Sequence, residues 1–291
     1  MELGSIEVFF ILLGGSTIIG IVAVRGGGGG GVVFTPLMMG FTSIDSFIIR
    51  ATGLLVAMAG SLVSARPFLM RGLANMRLLL MAAVPYSIFG VIGALLAGYV
   101  KETAGDTGEA IIRLTLGILV IGIAALILFG GKRLEYPEVR NVDGITERLA
   151  LATSYYEQSL DKVVSYRVAR APVGILLLCF VGLVSGLFGL GAGWAMVPVF
   201  NLVMLAPLKV AAASSKVLIG IGDTAAIWPY VMDGGIFVLF AVPCVIGLVI
   251  GTIIGTKIML RVKAGFVRWL IIAIMFGSGV KLVVDGIDRL S

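Results

Sequence analysis

Arg25-Gly26-Gly27-Gly28-Gly29-Gly30-Gly31, followed five residues later by Pro36, returns in altered form as Gly186-Leu187-Phe188-Gly189-Leu190-Gly191-Ala192-Gly193, followed five residues later by Pro198. Six consecutive glycines cannot hold a regular helix cheaply, since each costs about 1 kcal/mol against alanine. Each cluster lies between a long apolar run and a short one of about ten residues. The reading is a helix that breaks, then a short helix, twice. Unwound backbone at membrane depth is tolerated only inside protein or beside a water-filled cavity. The short helix starting there has unpaired N–H groups and the positive end of its dipole. Two such starts are predicted to converge on an anion near the bilayer midplane.

The surrounding sequence makes the bilayer the solvent. Hydrophobic residues are 59% of the chain and charged residues 13%, with a mean hydropathy of +1.12. A soluble domain carries about one quarter charged residues. Five apolar segments, at 6–24, 32–41, 47–65, 73–100 and 110–129, precede a polar stretch, and five follow it, at 173–187, 194–205, 210–231, 235–258 and 266–284. The net charge of +6 therefore reads as topological Lys and Arg, not as a nucleic-acid footprint. The start, Met1 to Glu7, lacks the basic region of a signal peptide, so no cleavage is expected. Cys179 and Cys244 lie in apolar runs and read as buried free thiols. Histidine is absent, which removes the usual zinc ligand and general base; neither a cofactor nor a metal is expected.

The two halves read as a duplication. One offset pairs Gly27, Gly29, Gly31 and Pro36 with Gly189, Gly191, Gly193 and Pro198, and continues to Gly60 with Gly222 and Pro67 with Pro229. Small deletions then pair Pro85 with Pro243, Gly93 with Gly251 and Arg113 with Arg268. Gly and Pro dictate backbone geometry, so their ordered recurrence signals a shared fold. The basic residues cluster at Arg66, Arg71 and Arg77, in the polar stretch, and at Arg261, Lys263 and Arg268. Putting all three clusters in the cytoplasm requires inverted halves with an odd number of crossings each. Both termini then face the periplasm or exterior. The rival is a re-entrant short segment with four crossings per half, which gives parallel repeats.

The predicted fold class is thus an all-α polytopic membrane protein. The first repeat is 1–130, a cytoplasmic linker 131–171, and the second repeat 172–291. Within the linker Ile145, Leu149, Ala152, Tyr156, Leu160 and Val163 recur at helical spacing and predict an amphipathic helix.

Polar residues inside spans mark function more sharply than the glycines. Thr52 and Ser214 are equivalent in the repeat, and Ser215 follows; hydroxyls donate to oxyanions or back-bond to their own helix. Lys216 lies well inside its segment, and Arg50 nearer an end. The predicted anion site is Gly28, Gly29, Gly30, Gly31, Arg50, Thr52, Gly191, Gly193, Ser214, Ser215 and Lys216. Asp223, two turns beyond Lys216, is the candidate to pair with a cation or take up a proton. Arg25 adjoins the first glycines, and Asp45 is expected to cap a helix beside Thr42 and Ser43.

The glycine break with its following proline, the Thr- or Ser-bearing third segment and the repetition of both resemble the sulfite exporter TauE/SafE family. The resemblance covers nearly all the chain outside the linker and is carried best by Gly27–Pro36 with Thr52-Gly53 and by Gly189–Pro198 with Ser214-Ser215. It implies a secondary transporter of a small sulfur-containing or organic anion such as sulfite or a sulfonate, usually an exporter and proton-coupled. Gly53 stands where the family usually has serine. The expected partners are a small anion and the lipid bilayer of the inner membrane, and a homodimer is compatible with them. An anion channel and a non-transporting scaffold subunit are the competing functions. An enzyme is disfavoured, because no nucleophile–base constellation is present.

Overall fold

The computed structural model describes residues 5–23, 30–70, 72–129, 137, 139, 142–157, 161–258 and 264–290. Gly28, Gly29 and Arg25, and the basic residues Arg71, Arg261 and Lys263, lie outside them. The chain folds as α1 (Ser5–Ala23), α2 (Gly31–Phe41), α3 (Ser46–Met70), α4 (Met76–Phe129), α5 (Gly144–Arg148), β1 (Thr153–Glu157), β2 (Lys162–Tyr166), α6 (Ala171–Phe188), α7 (Gly193–Pro198), α8 (Leu208–Met232), α9 (Val238–Ile258) and α10 (Ala264–Leu290). A π-helical turn, Val199–Val203, extends α7. Among the described residues six helices are long and apolar enough to cross a membrane: α1, α3, α4, α6, α8 and α9. Helix α4 bends at Gly105, whose φ of 46° and ψ of −128° suit glycine alone. Its 54 residues would extend about 80 Å if straight, far more than the ~30 Å hydrocarbon core.

Helices pair in a pattern that exchanges the halves. Gly247 of α9 packs against Leu13 and Ser16 of α1, and Gly251 against Thr17 and Gly20, so α1 and α9 run in the same direction. Gly182 of α6 packs against Tyr86 and Gly90 of α4, and Gly186 against Gly90 and Ala94, again in the same direction. These two pairs correspond in the sequence duplication. By contrast α3 and α8, which are each other's equivalents, run in opposite directions: Gly220 meets Leu62, and Thr224 meets Met58. The second arm of α4 and α10 are also antiparallel, with Gly279 at Gly117 and Ile121, and Gly286 at Ala110 and Leu114. Small residues let these backbones approach closely, as membrane helices require.

One end of the bundle holds the 42–45 turn, the Gly105 bend and the turn after α8. Lys101 pairs with Asp45 there at 3.8 Å, and Asp45 caps α3 by accepting from Phe47 N at 2.7 Å. Just inside, buried Arg113 bonds Glu109 (2.8 Å) and donates to the Met39 carbonyl (2.8 Å), closing the C-terminus of α2 onto α4.

The other end carries the linker, where the expected amphipathic helix is corrected. Among the described linker residues only Gly144–Arg148 is helical before α6 begins; β1 and β2 form an antiparallel hairpin with Tyr155 opposite Val164. Tyr155 faces in, 5% exposed, and its neighbour Tyr156 faces out, 53% exposed. The apolar positions fit both periods, and the aromatic and β-branched pairs Tyr155-Tyr156 and Val163-Val164 favour the strand. The hairpin docks on the α3–α4 turn: Asn75 Nδ2 donates to Leu151 O and Tyr166 OH, each at 3.1 Å. Burial pushes the Tyr166 hydroxyl up to about 12, so it stays neutral as a partner.

Candidate functional site

The second helix break is built by α6 running out at Gly189, whose φ is 65°, with Gly191 at 63°. The carbonyls of the last turn of α6 lose their helical partners there. Side chains from three other helices supply replacements. Tyr230 OH of α8 donates to Gly186 O at 2.8 Å. Arg50 Nη1 of α3 donates to Leu187 O at 3.1 Å, and Thr35 Oγ1 of α2 donates to Gly189 O at 2.7 Å. A cation at a helix C-terminus also meets the negative end of the dipole. Arg50 is 1% exposed, further held by Ser46 O at 3.2 Å and by the Phe47 ring at 5.6 Å. Arg50, expected to face the anion, is therefore committed to the break itself.

The first break meets the second. Gly30, with φ of 97°, is the N-cap of α2, and no side chain caps that helix. A Cβ on Gly31 would stand 2.6 Å from the Leu190 carbonyl oxygen and 2.9 Å from that of Gly53. The start of α2 is thus pressed against the loop between α6 and α7. Helix α7 begins at Gly193, also without a side-chain cap. Thr52, beside this junction in sequence, is fully buried, and its hydroxyl has no partner. Trp194, on the first turn of α7, likewise buries an unpartnered indole N–H.

The structure therefore packs Gly31 on Leu190 and Arg50 on Gly189, with Gly30, Thr52, Gly191 and Gly193 within three residues of these contacts in sequence. The three candidates on α8 lie elsewhere along that helix. Ser214 accepts from Asn75 N at 3.2 Å, at the linker end. Ser215 back-bonds to Ala212 O at 3.0 Å. Lys216 is 8% exposed, lies 5.8 Å from the Phe68 ring centroid and has no ion-pair partner among the described residues. It sits seven residues, about 10 Å of helix, from Asp223.

Asp223 is fully buried between α4, α6 and the break. Its Oδ1 accepts from the Tyr86 hydroxyl, which also lies 3.2 Å from Ser185 Oγ. Its Oδ2 has no hydrogen-bond partner among the described residues and faces Gly191, where a Cβ would lie 3.4 Å away. Tyr86, Ser185, Tyr230 and Thr35 were not singled out by sequence. The two tyrosines carried a signal, because a phenol buried in an apolar run needs a polar partner. Ser185 and Thr35 carried none.

At the end distal to the linker a recess of about 180 Å³ is lined by Asp45, Phe47, Arg50, Lys101, Asp106 and Glu109, among others. Through Arg50 it reaches to one side chain from the break.

Fold and site together define a polytopic α-helical membrane protein with paired helix interruptions meeting in its interior. The family profile described as Sulfite exporter TauE/SafE matches residues 12–282, and the chain belongs to that family of membrane transporters. It is also similar to the "Probable membrane transporter protein YunE" of Bacillus subtilis (strain 168), at 29% identity over 118 residues. That match covers 40% of this chain and 43% of the relative, less than half the length of either. No solved structure gives a significant match.

Proposed function

We propose that the protein carries a small sulfur-containing or organic anion, such as sulfite or a sulfonate, by alternating access between two inverted halves. One observation carries the reading: the uncapped start of α2 and the loop before α7 abut in the protein interior, and Thr52, next in sequence to the Gly53 carbonyl that meets Gly31, buries a hydroxyl with no partner among the described residues. Bare amide hydrogens at a helix start and an unpartnered hydroxyl are donors that suit an oxyanion. Inversion is supported by the antiparallel course of α3 and α8, since equivalent helices related by an axis along the membrane normal would run in parallel. Ten segments, five crossings per half, follow if α4 turns back at Gly105 and the short α2 and α7 segments each complete a crossing. The linker then lies in the cytoplasm, with both termini and the Asp45–Glu109 recess on the far side of the membrane.

Lys216 is the cation that an entering anion meets from the linker side, free of any described carboxylate. Export of a dianion is already favoured by about 2.3 kcal/mol per charge per 100 mV, so coupling to protons, through Asp223, serves to steepen or reverse the flux. In proteoliposomes preloaded with unlabelled sulfite, labelled sulfite should enter by saturable counterflow. Lys216→Ala should lower that flux at least tenfold, and Thr52→Ala severalfold. Unsaturable flux carried as current would favour a channel, and no flux for sulfite or sulfonates would defeat the anion assignment.

A further inference from the structure

The Asp223 carboxylate is sealed from solvent with no ion pair to any described residue. The titratable and charged groups around it are few. Tyr86 on α4 touches it. Lys216 and Tyr230 lie seven residues away on α8 itself, and Tyr230 is engaged with Gly186 O. Arg50 on α3 is engaged with Leu187 O. From α6 it is faced by uncharged Ser185, and from the loop by Gly191. A lone buried carboxylate is costly unless something neutralises it. The unpartnered Oδ2 is the oxygen left to accept a neutralising proton.

The cluster also joins the halves: Tyr86 belongs to the first, and Asp223 and Ser185 to the second. The repeat alignment puts Ser61 opposite Asp223 and Cys244 opposite Tyr86, so the mirrored position has no acid. Ser61 is fully buried, and its hydroxyl has no partner.

We propose that Tyr86 and Ser185 complete, with Asp223, a pocket for one proton bridging the two halves, with Tyr86 as its positioning residue, and that the mirrored position binds none. The inference rests on the transport reading above and adds two residues and a ratio of one proton per cycle. Binding places a proton on Asp223 Oδ2, and release returns the carboxylate to the two hydroxyls that donate toward it. A phenol donating to a carboxylate favours its charged form.

Proton-driven sulfite flux into proteoliposomes, measured across pH, tests this. Tyr86→Phe keeps the ring in place and should move half-maximal flux to higher pH by about one unit, tenfold in proton concentration. Ser185→Ala should move it less, in the same direction, and Asp223→Asn should abolish the proton drive. The titration of sulfite itself is common to all variants, so the difference belongs to the protein. Ser61→Ala should leave the profile in place, and the reversal potential should give one proton per anion. A Tyr86→Phe profile superimposed on that of the unsubstituted protein, a ratio of two, or flux driven by sodium instead of protons would overturn the proposal. The same pocket can be read without transport, as the pH dependence of thermal unfolding in detergent. Tyr86→Phe should shift that curve, but not in an Asp223→Asn background. A shift there with no sulfite flux would leave the pocket standing and remove the sulfite reading; no shift would remove the pocket.

Discussion

At the scale of single residues, glycine at position 53, where the resemblance implied serine, has a local fit. A Cβ at Gly53 would fall inside contact distance of Thr35 Oγ1 and the Gly189 carbonyl oxygen. Those two atoms are already hydrogen-bonded to each other. The space that a serine would fill is used by a threonine from α2 and by the backbone of the other half. Serine in place of Gly53 should therefore destabilise the protein by about 3 kcal/mol, the upper range for overpacking, because one of the clashing groups is backbone. Adding Thr35→Ala should recover only part of that, since the Gly189 carbonyl remains. Thermal unfolding in detergent of the single and double variants measures both. Arg50 gives the companion lesson. An arginine within a span was legible as a candidate, but the helix end it closes, five elements away in sequence, was not.

At the scale of elements, the linker is tied down at both ends by one carboxylate. Asp143 caps α5 through Thr146 N (3.1 Å) and Thr146 Oγ1 (2.5 Å), and also accepts from Arg170 N (2.7 Å), just before α6 begins. The Thr146 hydroxyl donating to it, helped by the backbone N–H groups, holds this carboxyl below its ordinary range. A depressed value means that the anchoring is fully present at neutral pH and is lost only as pH falls through the lowered value. Asp143→Ala should cost about 0.5–2 kcal/mol as a lost N-cap and speed hydrogen exchange at 144–148 and 170–171 at pH 7. That excess should shrink toward low pH, where the original carboxyl is itself protonated. The linker hairpin shows what pattern reading misses. Apolar residues at 145, 149, 152, 156, 160 and 163 satisfy a helix, while the chain takes the alternation that buries Tyr155 and Tyr166 against each other, with ring centroids 6.0 Å apart.

At the scale of the whole molecule, the pairing of α1 with α9 and of α6 with α4 threads each half through the other, so neither half is a separate body. The proposed inverted topology makes a direct prediction. In a protein with Cys179 and Cys244 replaced by serine, a cysteine at Asp106 or Asp233 should react with an impermeant maleimide from outside intact cells. A cysteine at Glu147 should react only after the membrane is opened. The opposite pattern would reverse the orientation, and labelling of Asp106 and Asp233 from different sides would break the inverted arrangement. Composition, the apolar run lengths and the clustered glycines determined by themselves that this is a helical membrane protein with broken helices. They do so because bilayer length and backbone freedom are local requirements, satisfied or violated within a few turns. Only the tertiary structure decided that the breaks face each other, that Arg50 closes one of them and that Tyr86 and Ser185 attend Asp223. Those partners are contributed from helices distant in sequence, and the distances that bind them exist only once the helices pack.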